Sequence, residues 1–154
     1  MKNNQKLSKY LDTLESHIPK FEEKNPNISK STIGWQIDHS LKVINNVSIA
    51  LQSSDPNQYK NNFSFLGKLF FTLGFFPRGK AKAPKYVRPP ETILKEDLIT
   101  QVQLVKSNIE SLNSLDKNAF FKHPLFGNIN MTRVYRFLEL HTHHHLKIIE
   151  DILK

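Results

Sequence analysis

The amino-acid sequence predicts an all-α fold, a four-helix bundle with a long, partly helical connection between its second and third helices. Four segments place apolar residues three and four positions apart, which is the spacing of one helix face. Sustained apolar–polar alternation is missing, and no Asn-Gly or Asp-Gly pair is present to form a tight hairpin. A chain of 154 residues fits one domain, residues 1–154, with a core that needs no disulfides.

The first two predicted helices lie in the N-terminal third of the chain. The first covers about residues 4–21, and Pro19, Pro26 and the polar stretch around Pro26 end it and form a loop. Its apolar stripe consists of Leu7, Tyr10, Leu11, Leu14 and Ile18. The second begins at Ser31 or Thr32, either of which can cap it, and ends near Ser53. Its stripe consists of Ile37, Leu41, Ile44 and Leu51.

The other two predicted helices make up the C-terminal part. The third follows Pro89 and Pro90, with Glu91 in a first turn where negative charge suits the helix dipole. Its apolar face consists of Ile93, Leu94, Leu98, Ile99, Val102, Val105, Ile109 and Leu112. The fourth begins between Asn130 and Thr132 and continues to the end of the sequence. Its stripe consists of Val134, Phe137, Leu138, His141, His145, Ile148, Ile149 and Ile152.

The connection between the second and third helices is too long for a turn. Its apolar part, Phe63 to Phe76, predicts one short extra helix packed on the bundle, and the basic, proline-rich remainder up to Pro90 is expected to be irregular. Two other interpretations of the apolar part stay open, a lid over a binding cleft and a helix that lies on a membrane surface beside the basic loop.

Basic charge is concentrated in residues 56–90. The whole chain has 22 Lys and Arg against 14 Asp and Glu, a formal net charge of +8. The 56–90 segment has no acidic residue, and its basic residues are Lys60, Lys68, Arg78, Lys80, Lys82, Lys85 and Arg88. A solvated cationic loop accounts for this pattern as well as an acidic partner, membrane or ligand does. Nucleic acid is not an expected partner, because no helix-long basic stripe or known reader motif is present.

Several classes of protein are excluded or disfavoured by composition. The chain has no cysteine, so disulfides, thiolate-zinc sites and cysteine nucleophiles are excluded, and a metal must be bound by His, Asp or Glu. The N-terminus has no apolar core of a secretory signal, and no run of about 18 apolar residues predicts a transmembrane span. A cytoplasmic protein is therefore expected.

The most informative motif is the histidine run of the last predicted helix. His141 and His145 are four residues apart, so their side chains lie about 40° apart around the axis and about 6 Å apart along it. Two imidazoles at this spacing can bind one ion, and both fall on the apolar stripe. His143 should face away, whereas His144, at the stripe's edge, is a candidate outer-sphere partner or substitute ligand. A solvated histidine run and buried core histidines are the alternatives.

A third ligand is needed, because two imidazoles hold a metal weakly. His39, one turn after Trp35 on the second predicted helix, is the best candidate, although the residues alone do not select it. Three neutral nitrogens leave an open coordination position, which distinguishes catalytic from structural zinc. Such ligands suit zinc, nickel, copper and iron equally.

Other side chains are candidates for the surroundings of this site. His123 could shuttle protons at the pocket mouth or fix its loop, and Trp35 could wall the pocket or pack in the core. Arg136 could meet an anionic substrate or form a surface salt bridge. Asp38 is expected to be a surface residue rather than an outer-sphere carboxylate.

The order of these histidines resembles the DinB-like superfamily. That family has one histidine early in its second helix and an H-x3-H pair in its last helix, as residues 35–44 and 141–149 do here. Residues 123–152 resemble the C-terminal signature of an uncharacterised DinB-like subfamily. The resemblance covers the chain from about Ser31 onward and is weakest across residues 54–90. It implies a four-helix bundle in which His39, His141 and His145 bind a zinc, nickel or iron ion.

What the resemblance implies about activity is a metal-dependent enzyme. Some DinB-like proteins are transferases or isomerases that use thiols such as bacillithiol or mycothiol, whereas others, including the subfamily resembled here, have no assigned activity. Better-known branches carry Arg-Gly-Gln after the histidine pair, where this chain has Leu146, Lys147 and Ile148. The leading hypothesis is thus a thiol-dependent transferase or a hydrolase acting on a small molecule, with a homodimer as one possible assembly. The alternative is a non-catalytic binding module that uses the 56–90 segment.

Overall fold

Helices form most of the molecule in the computed structural model, which describes residues 4–79 and 82–154. Residues 80–81, and with them Lys80 of the basic segment, lie outside the described residues. The elements in chain order are α1 Gln5–Ser16, α2 Ile33–Ser53, α3 Phe65–Leu73, α4 Lys95–Leu112, β1 Phe120–His123, β2 Gly127–Asn130 and α5 Met131–Ile152. Short 3-10 turns lie at Ile18–Lys20, Pro56–Gln58 and Lys85–Val87. The predominance of helices that the sequence predicts is confirmed.

The four long helices pack on one another through the predicted stripes. Helix α2 contacts α4 and α5, and α1 contacts α5 and α4. Most apolar side chains of the predicted stripes are enclosed between these helices, but Ile99 of α4 is 43% exposed and Leu94 just before α4 is 53% exposed. The largest fully buried side chains of the molecule are Leu7, Leu14, Ile33, Ile37, Leu41, Ile44, Leu51, Leu98, Leu112, Ile129, Leu138 and Ile149. Burial of these side chains supplies the main favourable free energy of folding.

Helix α2 begins where the sequence predicts. The Thr32 hydroxyl accepts a hydrogen bond from the Trp35 amide at 3.1 Å, which satisfies one of the free amides of the first turn. The Gly34 amide donates to the Phe21 carbonyl at 2.7 Å, so the loop after α1 lies directly against this turn. The start of α2 is therefore fixed both by its own cap and by the preceding loop.

A small two-stranded sheet was not predicted and corrects the all-α expectation. Strands β1 and β2 pair antiparallel, with Phe120 opposite Asn130 and His123 opposite Gly127. Each strand has only four residues, too few for alternation to be recognised in the sequence. Gly127 has a φ of 77°, and a Cβ there would lie 2.5 Å from the Asn62 carbonyl oxygen, so glycine is required by both conformation and space.

The predicted start of the third long helix was also wrong. Helix α4 begins at Lys95, and Leu94 before it is extended, so Glu91 lies outside the helix. The acidic residues of the first turn are instead Glu96 and Asp97. The proline pair at 89–90 therefore does not mark the start of the helix, which begins five residues later.

The connection between α2 and α4 contains the predicted short helix, α3. The Ser64 hydroxyl caps it by accepting from the Gly67 amide at 3.1 Å, and Gly74, with φ 79°, ends it. On one side, Phe70 and Phe71 of α3 and the flanking Phe63 and Phe76 pack around Phe126, in the turn between β1 and β2. Helix α3 also contacts α5, which confirms the prediction that this part packs on the long helices.

Across the described part of the chain, no helix has the length and apolar character to cross a membrane.

Candidate metal centre

Three histidines from two helices converge at one point of the core. His39 lies on α2, and His141 and His145 lie one turn apart on α5. One ring nitrogen from each lies within 4.8 Å of the other two. The ring centroids are 5.1 Å apart for His39 and His141, 4.8 Å for His39 and His145, and 4.7 Å for His141 and His145. These three nitrogens could hold a metal ion.

Hydrogen bonds fix the orientation of two of the three rings. The Nδ1 atom of His39 lies 2.8 Å from the Val87 carbonyl, and that of His145 lies 2.7 Å from Oε1 of Gln36. Carbonyl oxygens only accept, so each Nδ1 carries the proton and each Nε2 keeps its lone pair. A metal-binding histidine usually has its other nitrogen held by an acceptor in this way.

The third ring, His141, has no such partner. Its Nδ1 is enclosed and lacks a hydrogen bond within the described residues, whereas buried polar atoms normally have one. His39 and His145 are buried, but His141 keeps some accessible surface, so the cluster is least covered on its side. An enclosed nitrogen without a partner, beside two oriented imidazoles, fits a metal ligand set.

The protonation state of the cluster also suits a metal. Burial lowers the pKa of His39, and it lowers the pKa values of His141 and His145 well below that of an ordinary histidine. Repulsion from the protonated forms of neighbouring histidines adds to this effect at His141 and His145. At His39 the Val87 carbonyl and Asp38 partly oppose the lowering of the pKa, but burial outweighs them, so the three imidazoles are neutral at neutral pH. Neutral nitrogens are the form that binds metal.

Trp35 and Gln36 form one side of the centre. The Trp35 ring stacks on His39 at 5.1 Å between centroids and lies 6.4 Å from His145. Gln36 is buried and also approaches the Ser29 hydroxyl with its Nε2 at 3.4 Å, which supports the orientation of its amide. Gln36 was missed by the sequence reasoning, although its position three residues before His39 places it on nearly the same face of α2.

His144 lies beside the cluster but does not belong to the converging group. Its ring centroid is 5.0 Å from that of His145, and its Nδ1 donates to the Phe76 carbonyl at 3.0 Å. It therefore holds the segment after α3 against α5. His143 faces away from the cluster, as expected, and stacks on Tyr10 of α1 at 5.3 Å.

His123 fixes its loop. Its Nδ1 accepts from the amides of Leu125 and Phe126 at 3.1 and 3.2 Å, and its ring stacks on Phe126 at 4.3 Å. Burial lowers the pKa of His123 to about 4. Of the two predicted roles, these contacts support the structural one.

Arg136 and Asp38 bind other side chains and backbone rather than the cluster. Nη2 of Arg136 donates to the Phe71 carbonyl at 3.2 Å, and its Nη1 lies 4.0 Å from Glu139. The expectation that Asp38 is a surface residue was wrong, since it is buried between α2 and α4. It accepts from Gln101 at 2.8 Å and pairs with Lys42.

Comparison with known proteins adds no family to these observations. No protein-family model matches the chain, and the searches of curated proteins and of solved structures gave no significant match. The resemblance to the DinB-like superfamily therefore stays a prediction from the histidine pattern. What the structure itself shows is a mainly helical protein in which His39, His141 and His145 lie close enough together to bind a metal ion.

Proposed function

We propose that the protein is a metal-dependent enzyme of DinB-like type, a thiol-dependent transferase or a hydrolase located in the cytoplasm. His39, His141 and His145 are the ligands of one divalent zinc, nickel or iron ion. The observation that carries the proposal is the convergence of three neutral ring nitrogens within 4.8 Å of one another. The packing of α1, α2, α4 and α5 on one another supports the bundle architecture that this family has.

The three ring nitrogens must move closer together to hold an ion. Zinc–nitrogen bonds are about 2.0–2.1 Å, so two nitrogens of a tetrahedral site lie about 3.4 Å apart. The ring nitrogens, all within 4.8 Å of one another, would approach that separation by rotation of the imidazole rings. The acceptors Val87 and Gln36 keep the Nδ1 protons of His39 and His145 in place, so these two rings present Nε2.

A bound metal ion and the protein's own residues would have different roles in the site. A bound divalent ion would supply Lewis acidity, which makes a thiol or a water a stronger acid at neutral pH. The three histidines would bind and orient that ion, and Trp35 stacks on His39 on the α2 side of the site. The protein has no cysteine, so the substrate or a cosubstrate must bring any thiol.

The site is tested by the metal content of protein purified without a histidine tag. We expect about one ion per chain in the wild type and loss of that ion in His141→Ala, with the helical circular dichroism retained. The matched control is His143→Ala, which removes a histidine of the same run that stacks on Tyr10 and leaves the cluster intact. Full metal content in His141→Ala, or equal losses in both variants, would refute the assignment.

The single tryptophan gives a second readout. Trp35 stacks on His39, so ion binding should change its fluorescence in the wild type and in His143→Ala but not in His141→Ala. Enzyme activity is tested separately, by transfer of a low-molecular-weight thiol to an electrophile. A loaded protein that reacts no faster than His141→Ala would refute the transferase and leave the metal site standing.

A further inference from the structure

Helix α3 presents an apolar stripe to solvent. Phe65 is 80% exposed, Leu73 52% and Leu69 39%, and Leu66 beside them is 38% exposed. At about 100° per residue, these four positions fall within an arc of about 100° on one side of the helix. Single exposed apolar residues are ordinary, but a row of them along one helix face indicates a surface with an interaction partner.

The stripe is held on a fixed scaffold. The Ser64 hydroxyl donates to the Leu125 carbonyl at 3.0 Å at the start of α3. Arg136 donates to the Phe71 carbonyl near its end, at 3.2 Å. Beyond the helix, His144 donates to the Phe76 carbonyl at 3.0 Å. The opposite side of α3 is thus bound to α5 and to the strand hairpin, and the exposed side chains are presented outward.

The segment that contains the stripe carries basic charge only. The 56–90 segment that contains α3 has no acidic residue, and Lys68 lies within the helix itself. The exposed basic residues of the described part of this segment are Lys60, Lys68, Arg78, Lys82, Lys85 and Arg88. Asp151 of α5 pairs with Arg78 at 2.8 Å. Exposed apolar side chains and exposed cations therefore occur together in one segment, and of these cations Arg78 is paired with an acidic residue.

We propose that α3 and the basic residues of the 56–90 segment form a docking surface for anionic phospholipid membranes. Such membranes are bound by two contributions together: apolar side chains enter the interfacial region, and nearby cations attract the anionic lipid headgroups. With nine residues, α3 is too short to span a bilayer and would lie in its plane. Phe65 is 80% exposed and projects into solvent, which favours a lipid surface that accepts a protruding side chain.

The test is co-sedimentation of the full chain with vesicles. We expect binding to vesicles of phosphatidylcholine with phosphatidylserine, little binding to pure phosphatidylcholine, and weakening as salt rises. The variant Phe65→Ser/Leu73→Ser should bind about tenfold more weakly, because it removes the two most exposed side chains of the stripe. Its matched control is Ile49→Ser/Leu104→Ser, which removes two side chains of α2 and α4 that are 56% and 49% exposed.

A second pair of variants separates location from total charge. Lys68→Glu/Lys85→Glu should bind the anionic vesicles about tenfold more weakly than Lys9→Glu/Lys117→Glu, which changes net charge equally at exposed positions elsewhere. Equal weakening in both pairs would overturn the proposal, because general cationic attraction would then explain the binding.

Two other outcomes would indicate a different binding partner for the α3 surface and would also overturn the proposal. Association with polyglutamate but with neither vesicle type would indicate an acidic protein partner. Dimerisation without lipid, lost in Phe65→Ser/Leu73→Ser, would show that a second copy of the chain covers the stripe. None of these measurements depends on the metal centre, so their failure is distinct from failure of the enzymatic proposal.

Discussion

At the scale of single residues, the candidate site depends on which nitrogen of each imidazole carries its proton. The Val87 carbonyl and the Gln36 amide oxygen accept from Nδ1 of His39 and His145, so Nε2 of both rings is free for a metal. Val87 belongs to the turn at the end of the 56–90 segment, and Gln36 to the first turns of α2. The orientation of the cluster therefore depends on residues that no ligand motif includes.

Gln36→Leu should weaken metal binding by about 10- to 100-fold, because the His145 ring loses the acceptor that orients it. Trp35 fluorescence during metal titration measures the affinity. Gln36→Glu keeps an acceptor oxygen at this position and should restore most of the binding. The control is Gln52→Leu, an exposed position on the same helix. Unchanged affinity in Gln36→Leu would show that packing alone orients His145.

At the scale of elements, the spacing of apolar residues predicts the long helices well. Both the backbone hydrogen bonds of a helix and the face on which a side chain lies are set by residues three or four positions apart. The first residues of α2 show where this local reasoning stops. Gly34 is a poor helix former, and helix propensity alone favours alanine there by about 1 kcal/mol. A Cβ at Gly34 would, however, lie 2.8 Å from the Phe21 carbonyl oxygen.

Gly34→Ala should destabilise the protein by roughly 1–3 kcal/mol, the opposite sign to its helix propensity, because the added methyl separates the first turn of α2 from the loop after α1. Urea denaturation measures the change, and Gln52→Ala on the exposed side of α2 serves as the control. A stabilised Gly34→Ala variant would mean that this loop moves aside easily.

The same limit explains the elements that the sequence did not predict correctly. The hairpin of β1 and β2 was missed because strands of four residues are too short to show a recognisable alternation of apolar and polar residues. The hairpin is also stabilised by hydrogen bonds from distant residues, since the Asn128 amide donates to Asn62 Oδ1 and the Phe120 amide donates to the Ser54 hydroxyl. The start of α4 was placed too early because an apolar face at Ile93 and Leu94 continues the helical spacing into extended chain. In both places, tertiary contacts or local backbone preferences override the periodicity.

At the scale of the whole molecule, buried neutral histidines should make the metal-free fold sensitive to acid. The pKa of His123 is about 4 when folded and about 6.5 in an unfolded chain. Protons therefore bind the unfolded state more readily. The stability from His123 is fully present above about pH 6.5 and is lost as pH falls toward 4.

His123→Asn should reduce this acid sensitivity, because the asparagine oxygen can still accept from the loop amides but does not titrate. Between pH 7.5 and pH 4.5, the wild type should lose about 2 kcal/mol more free energy of unfolding than the variant. Urea denaturation of both proteins with a chelator present measures the difference. Equal losses would show that His123 is already solvated in the folded state.

The sequence by itself determined the four long helical stretches, the short helix α3 and the limitation of metal ligands to His, Asp and Glu. It also determined the spacing of His141 and His145, because residues four apart lie on one helix face whatever surrounds them. These features are local, set by the geometry of a few consecutive residues.

Only the tertiary structure decided that His39 meets that pair, which side of α3 is exposed, and which groups orient the rings. The hydrogen bond from His39 to Val87 joins residues 48 positions apart, and that between Gln36 and His145 joins residues 109 positions apart. Such contacts depend on how α2, α5 and the 56–90 segment pack together. No local pattern encodes them, since their free energy arises only when distant surfaces are buried against one another.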